Sequence, residues 1–456
     1  PPVALQLIEY QRSKWKLRHI PGTHQFFDPF GLVMRLIPPN YFLPCTMQTV
    51  HDVARGLMDQ HNTDLVSLAL PQKMVVFTRC ADHIKEMTVT RPRDFIKHVE
   101  LYKIVDCFGK NIVSAPDGPE WQRHRALCNP AFSSANLKLV REVTLRQMDR
   151  LIAAWEQTRD ASGTICINAD KDMTSLTLAI IAEAAFGQKF GVGTARDAHQ
   201  HGPQSAMTFE EASEIVSEKL FLRVILPDFV FRLPSQRLQT VGRAFTVFSD
   251  TIYRVIRSRD PADGSASQAH KHDLLSLLLK ANRQAQGSRH SLSDSEIHGN
   301  TFMFLFAGHE TTAGTLHWAL RLLARHPEAQ QKARQEIREV LGDRDELASE
   351  DLPDLDFCLS IFKETLRLYP ATKDIAKLAP RDTTLGGVSV PAGAAVAMHF
   401  DAVHRHPRYW QDPNAFRPER FQERNAGDVV PYSWVPFSNG ARGCIGNRFA
   451  QMEGAL

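Results

Sequence analysis

The stretch Phe437-Ser438-Asn439-Gly440-Ala441-Arg442-Gly443-Cys444-Ile445-Gly446 decides how the rest of the chain is read. It sets one cysteine in a loop that must bend tightly, beside an arginine and an aromatic residue. Ligation of iron through a thiolate needs that combination. The cysteine supplies a charged sulfur, and flanking glycines let backbone N–H groups approach it and damp its charge. The residues that follow, Asn447 to Glu453, read as the start of a helix, whose N-terminus also favours an anionic sulfur.

Upstream of that loop, the longest helical pattern runs from Ser293 to Arg325 and opens on Ser293-Asp294-Ser295-Glu296, a capping box. Its apolar body, Phe302 to Phe306, leads into Ala307-Gly308-His309-Glu310-Thr311-Thr312. An acid followed by two threonines is out of place in such a run. Thr311 can bond back to the carbonyl of Ala307 and is expected to open the helix locally, leaving a groove lined by a hydroxyl and a carboxylate. A hydroxyl beside an acid is what proton delivery to a reacting oxygen requires. By itself, Glu-Thr-Thr on a helix is more often solvated surface.

Two weaker patterns complete the set. Glu364 and Arg367 lie three apart on one helix face and can pair, and Pro418-Glu419-Arg420-Phe421 follows. An exposed pair of this kind is worth little. Trp121 and Arg125 lie one helical turn apart.

Taken together, these motifs resemble the cytochrome P450 family over nearly the whole chain, from Pro21 to Leu456. The cysteine loop matches the haem-binding order F-x-x-G-x-R-x-C-x-G at all five fixed positions. That agreement separates it from a buried cysteine in a glycine-rich turn. The resemblance implies a mainly α fold with a small β-sheet region, in a single large domain with haem b (iron protoporphyrin IX) between the long central helix and the cysteine-loop helix. Cys444 would be the iron ligand and Arg442 would reach a propionate. Phe437 would pack near the sulfur, while Gly440 and Gly446 would permit the bulge and the close helix approach. Thr311 would be the dioxygen-side hydroxyl, Glu310 its acidic neighbour, and Ala307 and Gly308 the groove. Glu364, Arg367 and Arg420 would form a buried charge network fixing the cysteine loop. Trp121 and Arg125 resemble the family's propionate-holding W-x-x-x-R. After Leu366-Arg367-Leu368-Tyr369-Pro370 many relatives carry an arginine that grips a propionate, and this chain offers Lys377 instead.

Composition bounds the remaining possibilities. The chain has 456 residues, 43% of them hydrophobic, and a formal net charge of +3, too slight to suggest a nucleic-acid partner. Its seven cysteines are scattered without a C-x-x-C pair, which argues against a disulfide framework or zinc site and for a reducing compartment. No stretch approaches the ~18–20 apolar residues of a membrane span. Residues 1–20 mix apolar positions with Arg12, Lys14, Lys16 and Arg18, and are expected to be a basic linker next to a membrane surface, cut from a longer anchor. Residues 21–456 would be the cytochrome P450 domain, lacking a C-terminal part because the family continues past the cysteine helix.

Other helical patterns span Glu120–Cys128, Ser134–Arg159, Ser175–Phe186, Ser235–Arg259, His272–Asn282, Pro327–Leu341 and Phe357–Leu368. Strand-like pieces occur at Asp64–Leu70, Lys73–Phe77 and Ala394–His399, and surface loops at 191–206 and 259–268. By analogy, the segment Lys97 to Ser114 and the residues Phe302, Phe306 and Ala307 would line a substrate pocket. Residues 372–376 would reach over the haem, with Asp374 as a polar exception. The stretch from Phe221 to Pro234 is either a lipid-facing lid or core packing.

No G-x-G-x-x-G dinucleotide fingerprint is present, so electrons must come from outside. The resemblance implies a monooxygenase served by NADPH-cytochrome P450 reductase, with cytochrome b5 as a further donor. Arg123 and Arg448 would lie on the docking face. It would be a monomer on the cytosolic side of the endoplasmic reticulum membrane, oxidising a lipophilic small molecule with O2, and fungal-style motifs hint at secondary metabolism. Two alternatives stay open: a haem-thiolate isomerase or dehydratase acting on a peroxide, and a non-catalytic haem or ligand-binding protein.

Overall fold

The computed structural model describes residues 3–29, 45–46, 49–187, 207–259, 273–344 and 346–456. The expected loops at 191–206 and 260–268 lie outside them. In chain order the helices are α1 (Val3–Leu17), α2 (Val50–Gln60), α3 (Ala81–Lys85), α4 (Val99–Tyr102), α5 (Pro119–Cys128), α6 (Ser134–Glu156), α7 (Ala169–Phe186) and α8 (Phe209–Ile225). They continue as α9 (Gln236–Arg257), α10 (Leu274–Gln284), α11 (Asp294–Arg325), α12 (Pro327–Leu341), α13 (Asp356–Leu368), α14 (Phe400–Val403) and α15 (Asn447–Ala455). The strands are β1 (Gly22–His24), β2 (Leu65–Leu70), β3 (Lys73–Thr78), β4 (Ile96–Lys97), β5 (Asp374–Leu378), β6 (Thr383–Leu385), β7 (Val388–Val390) and β8 (Ala394–His399). The mainly helical fold with a small sheet is therefore present, and the chain divides into two compact units.

One unit comprises residues 1–98 and 363–444 and holds the sheet. Its six strands run in the order β1-β2-β3-β8-β5-β4, with β6 and β7 as a separate hairpin. Side chains alternate across a strand, and both faces are covered here. Val66, Leu68, Val75, Phe77 and Ala397 pack with Val50, Ala54 and Met58 of α2 on one side. Leu65, Ala69, Val76, Val396 and Met398 pack with Leu17 and Ile20 on the other. Residues 3–17 are thus a helix whose end is anchored in this core, where a basic linker was expected. Trp15 and Ile8 on the same helix remain exposed. No helix among the described residues is long and apolar enough to cross a membrane.

The other unit, residues 99–362 and 445–456, is helical and surrounds α11. The capping box that opens α11 is formed: Glu296 N–H donates to Ser293 Oγ and Ser293 N–H to the Glu296 carboxylate. The helix then runs unbroken for 32 residues. The expected bond from the Thr311 hydroxyl to the Ala307 carbonyl forms, at 2.9 Å, but it is added to the helical ladder and the helix does not open. Helix α7 lies along α11, and small residues allow the approach. A Cβ added at Gly308 would stand 3.0 Å from Ile181 Cδ1.

Helix α8 was not foreseen, although Thr208 and Glu211 form a full capping box at its start. The segment after it splits the two readings offered for Phe221–Pro234. Phe231 is buried in the core while Phe229 stays 65% exposed.

Candidate functional site

In the sheet-bearing unit, Glu364 and Arg367 of α13 are completely buried, and burial makes the pair obligatory. Arg367 Nε donates to Glu364 Oε2 at 2.7 Å and Nη2 to Oε1 at 2.8 Å. Its remaining donors go to the carbonyls of His404, Pro413 and Ala415. Glu364 also accepts the N–H of Arg417 at 2.9 Å, and Arg420 Nε lies 3.4 Å away. Every hydrogen on the Arg367 guanidinium is used, the condition under which a buried ion pair holds a loop in place.

His404 carries that scaffold to the cysteine loop, and no motif pointed to it. Its Nε2 accepts the N–H of Val435 at 2.9 Å. Complete burial and the nearby Arg367 charge push the imidazole down to about 3, so it stays neutral. The loop continues through turns: Ser438 N–H to Val435 O, Gly443 N–H to Gly440 O, and Cys444 N–H to Phe437 O at 2.9 Å. Gly440 adopts φ +69°, where a Cβ would sit 2.1 Å from the Thr88 carbonyl, so only glycine fits. Gly446, by contrast, has an ordinary φ of −87° at the cap of α15, and its backbone conformation does not require glycine. The result is an exposed Cys444 on a loop tied down on several sides. The Phe437 ring stands edge-on to Trp434.

Strand β5 places Lys377, 9% exposed, directly across from Lys97 of β4. Asp374 does not behave as a free polar contact. Its carboxylate is bonded to His51 Nε2 at 2.5 Å.

In the helical unit, residues 297–305 of α11 are all buried. Past them, Ala307, Glu310, Thr311 and Gly314 are exposed, at spacings of three and four that define one helical stripe. Glu310 is open at its surface but has protein on its flanks, and desolvation raises its carboxyl pKa with no opposing charge. Gly308 is not on this stripe. It faces Ile181 of α7, so its smallness serves packing and not the groove. Phe302 is likewise absent from any accessible face. It is fully buried, 4.5 Å from the Phe108 ring and stacked on Phe306.

Helix α5 carries Trp121 and Arg125 at i and i+4. Arg123 of the same helix is occupied by the Glu296 carboxylate and the Ser291 carbonyl, which leaves little of it for docking. Arg448 is exposed. Among the described residues no group of three or more His, Cys, Asp or Glu side chains could hold a metal ion.

A single exposed thiol on a braced loop suits a metal whose other ligands come from a ring rather than from the protein. The cationic side chains suit carboxylate arms on such a ring, and the acid–hydroxyl stripe suits proton handling. The class these parts define is the haem-thiolate proteins, and the donor set fits that cofactor.

Comparison with known proteins makes the class specific. A family model described as cytochrome P450 matches residues 40–456, and the chain belongs to that family. The chain is similar to cytochrome P450 monooxygenase 124 of Postia placenta, with 34% identity over 98% of this chain and 86% of that one. It is also similar to human cytochrome P450 4X1, with 32% identity over 76% of this chain and 67% of the relative. Among solved structures, the cytochrome P450DA heme domain matches with a TM-score of 0.78 and 26% identity, covering 96% and 89% of the two chains. The protein is a haem-thiolate monooxygenase, an oxidoreductase.

Proposed function

We propose that this chain oxidises a lipophilic small molecule with O2, drawing electrons from a separate NADPH-dependent reductase, at the cytosolic face of the endoplasmic reticulum membrane. The observation that carries the reading is the stripe Ala307, Glu310, Thr311 and Gly314 on a helix that is buried throughout residues 297–305. An acid kept protonated to higher pH by desolvation, next to a hydroxyl, is a proton source in an apolar wall.

Haem b, when bound, supplies the iron centre where O2 is reduced with two electrons and one oxygen atom enters the substrate. Cys444 would hold the iron, and its loop would keep the sulfur in place through Gly440 and the bond from Cys444 N–H to Phe437 O. Arg442, Trp121, Arg125 and Lys377 would hold the propionates. Thr311 would deliver a proton from its Oγ1 and be replenished by Glu310, with Ala307 leaving the space between them. Glu364, Arg367 and Arg420 would keep the cysteine loop from shifting. Exposed Trp15, Ile8 and Phe229 support contact with a lipid surface.

The test is spectroscopic. Reduced protein under carbon monoxide should give a strongly red-shifted Soret band that disappears in Cys444→Ala, and its absence from the wild type would remove the reading. Turnover should need NADPH, reductase and O2. Conversion of a hydroperoxide without them would favour an isomerase.

A further inference from the structure

Within the helical unit, three elements meet at a side chain that no motif includes. Asn300 of α11 is fully buried. Its Oδ1 accepts the backbone N–H of Ile112 at 2.9 Å, and an amide N–H can only donate, so the orientation of the Asn300 amide is settled. The NH2 end gives one hydrogen to the Glu296 carbonyl at 2.7 Å and the other to His124 Nδ1 at 2.9 Å. His124, completely buried on α5, therefore accepts at Nδ1 and carries its proton on Nε2. That nitrogen faces the Glu296 carboxylate at 3.4 Å, the same carboxylate that caps α11 and binds Arg123. Cys128 Sγ, 3.8 Å from Asn300 Oδ1, is the remaining neighbour. One directional chain runs from Ile112 to Asn300 and His124, each step determined by the one before, and ends with His124 Nε2 near Glu296 without a hydrogen bond to it.

The loop at the head of this chain is already pressed onto α11. His298 Nδ1 lies 2.8 Å from the Phe108 carbonyl. Gly109, at φ +117°, has no room for a Cβ against the Ser295 carbonyl, and Gly299 has none against Gly109. Asn111 staples the loop internally, accepting the N–H groups of Val113 and Ser114. Helix α5 is held to the same region by Arg123, bonded to the Ser291 carbonyl and the Glu296 carboxylate, and by Glu120, paired with Lys110. His124 lies about 60° round that helix from Trp121, so a rotation that broke its bond to Asn300 would swing Trp121 and Arg125 through the same angle.

We propose that Asn300 is a positioning residue: through His124 it makes the placement of α5, with Trp121 and Arg125, and the docking of residues 109–114 a single cooperative arrangement on α11. This rests on reading Trp121 and Arg125 as propionate-holding residues. The charges that face His124 are Glu296 from α11 and Arg123 from its own helix. Helix α10, also packed on α5, carries exposed Lys280 and Arg283, and the turn at 129–132 carries no charge.

The experiment compares wild-type holoenzyme with Asn300→Ala and Asn300→Asp from about pH 6 to about pH 9, the span in which an imidazole's charge responds to its surroundings. Two quantities are read: hydrogen-exchange protection of residues 108–115 relative to wild type at each pH, and the rate of haem transfer to excess apomyoglobin. Asn300→Ala should lose about tenfold in protection and release haem about tenfold faster at every pH, the scale of one buried hydrogen bond. Asn300→Asp keeps the acceptor for Ile112, loses the donor to the Glu296 carbonyl and turns a carboxylate towards His124 Nδ1, which drives the ring to take up a second proton. A histidine whose folded pKa is raised contributes below its unfolded value and stops contributing as pH climbs through the folded one. The Asp variant should therefore come closest to wild type at the acid end, short of it by the lost Glu296 bond, and fall to the Ala variant or below it at the alkaline end.

A pH-flat Asp variant overturns the proposal, and it decides alone should Asn300→Ala fail to fold. Lost protection with wild-type haem release overturns the coupling. Arg125→Leu tests the underlying reading separately: wild-type haem release there removes the propionate assignment while the loop-protection result still stands.

Discussion

Each unit desolvates a carboxyl group, and the two treat it oppositely. In the sheet-bearing unit Glu364 and Arg367 are sealed from solvent with every guanidinium hydrogen engaged. In the helical unit Glu310 is desolvated with no opposite charge, and its acid form gains by it. The first arrangement has nothing left to exchange and serves as scaffold. The second is poised to gain or lose a proton. Saturated networks brace a site, and under-satisfied acids work in it.

Breaking the scaffold should have the largest effect. Glu364→Ala leaves the Arg367 charge buried and unpaired, at a cost of about 3–5 kcal/mol. Urea unfolding and haem content should both collapse, and normal haem incorporation would contradict the network's role. Gly440→Ala comes next, since a left-handed backbone and the Thr88 carbonyl both oppose it, on the order of 3 kcal/mol. It should also weaken the reduced carbonyl Soret band, because the strain falls on the cysteine loop.

Smaller effects separate the two sides of α11. Gly308→Ala must push Ile181 aside and should cost about 1 kcal/mol, with NADPH consumed per product unchanged. A shift in that ratio would put Gly308 back on the working face. Thr311→Ala should change stability by less than about 1 kcal/mol yet divert reducing equivalents to peroxide. Tightly coupled product formation would contradict its role.

The smallest signal is Glu310→Gln. A carboxyl whose folded pKa is raised binds more protons folded than unfolded, so wild-type stability declines as pH rises from the unfolded pKa to the folded one. The Gln variant should lack that component, and a Tm series against pH with parallel curves would argue against desolvation of Glu310.

Motifs read well where local chemistry is stringent. The Ser293 capping box and the ends of Pro327–Leu341 and Ala394–His399 stand as expected. Side-chain direction did not read as well. Gly308 and Ala307 are neighbours in sequence yet lie on different faces, because 100° per residue separates them and only packing decides which side meets α7. Asp374 was read as a lone polar group because His51, its partner, lies 323 positions away. His404 and Asn300 escaped notice for a related reason. Their bonds run to main-chain N–H groups of Val435 and Ile112, which leave no trace in residue type.

The parallel register of Gly22–His24 against Ser67–Ala69 bears on how the protein is handled. A strand of three residues covers the outer rim of a six-stranded sheet, and α1 is rooted beside it through Leu17, with Ile20 just past its end. Trimming the chain past residue 24 would leave the N–H and C=O groups of β2 open along that rim. An uncovered rim of apolar strand is a template on which a second molecule can pair. The opening two dozen residues therefore act as a guard against self-association, whatever they also do at a lipid surface.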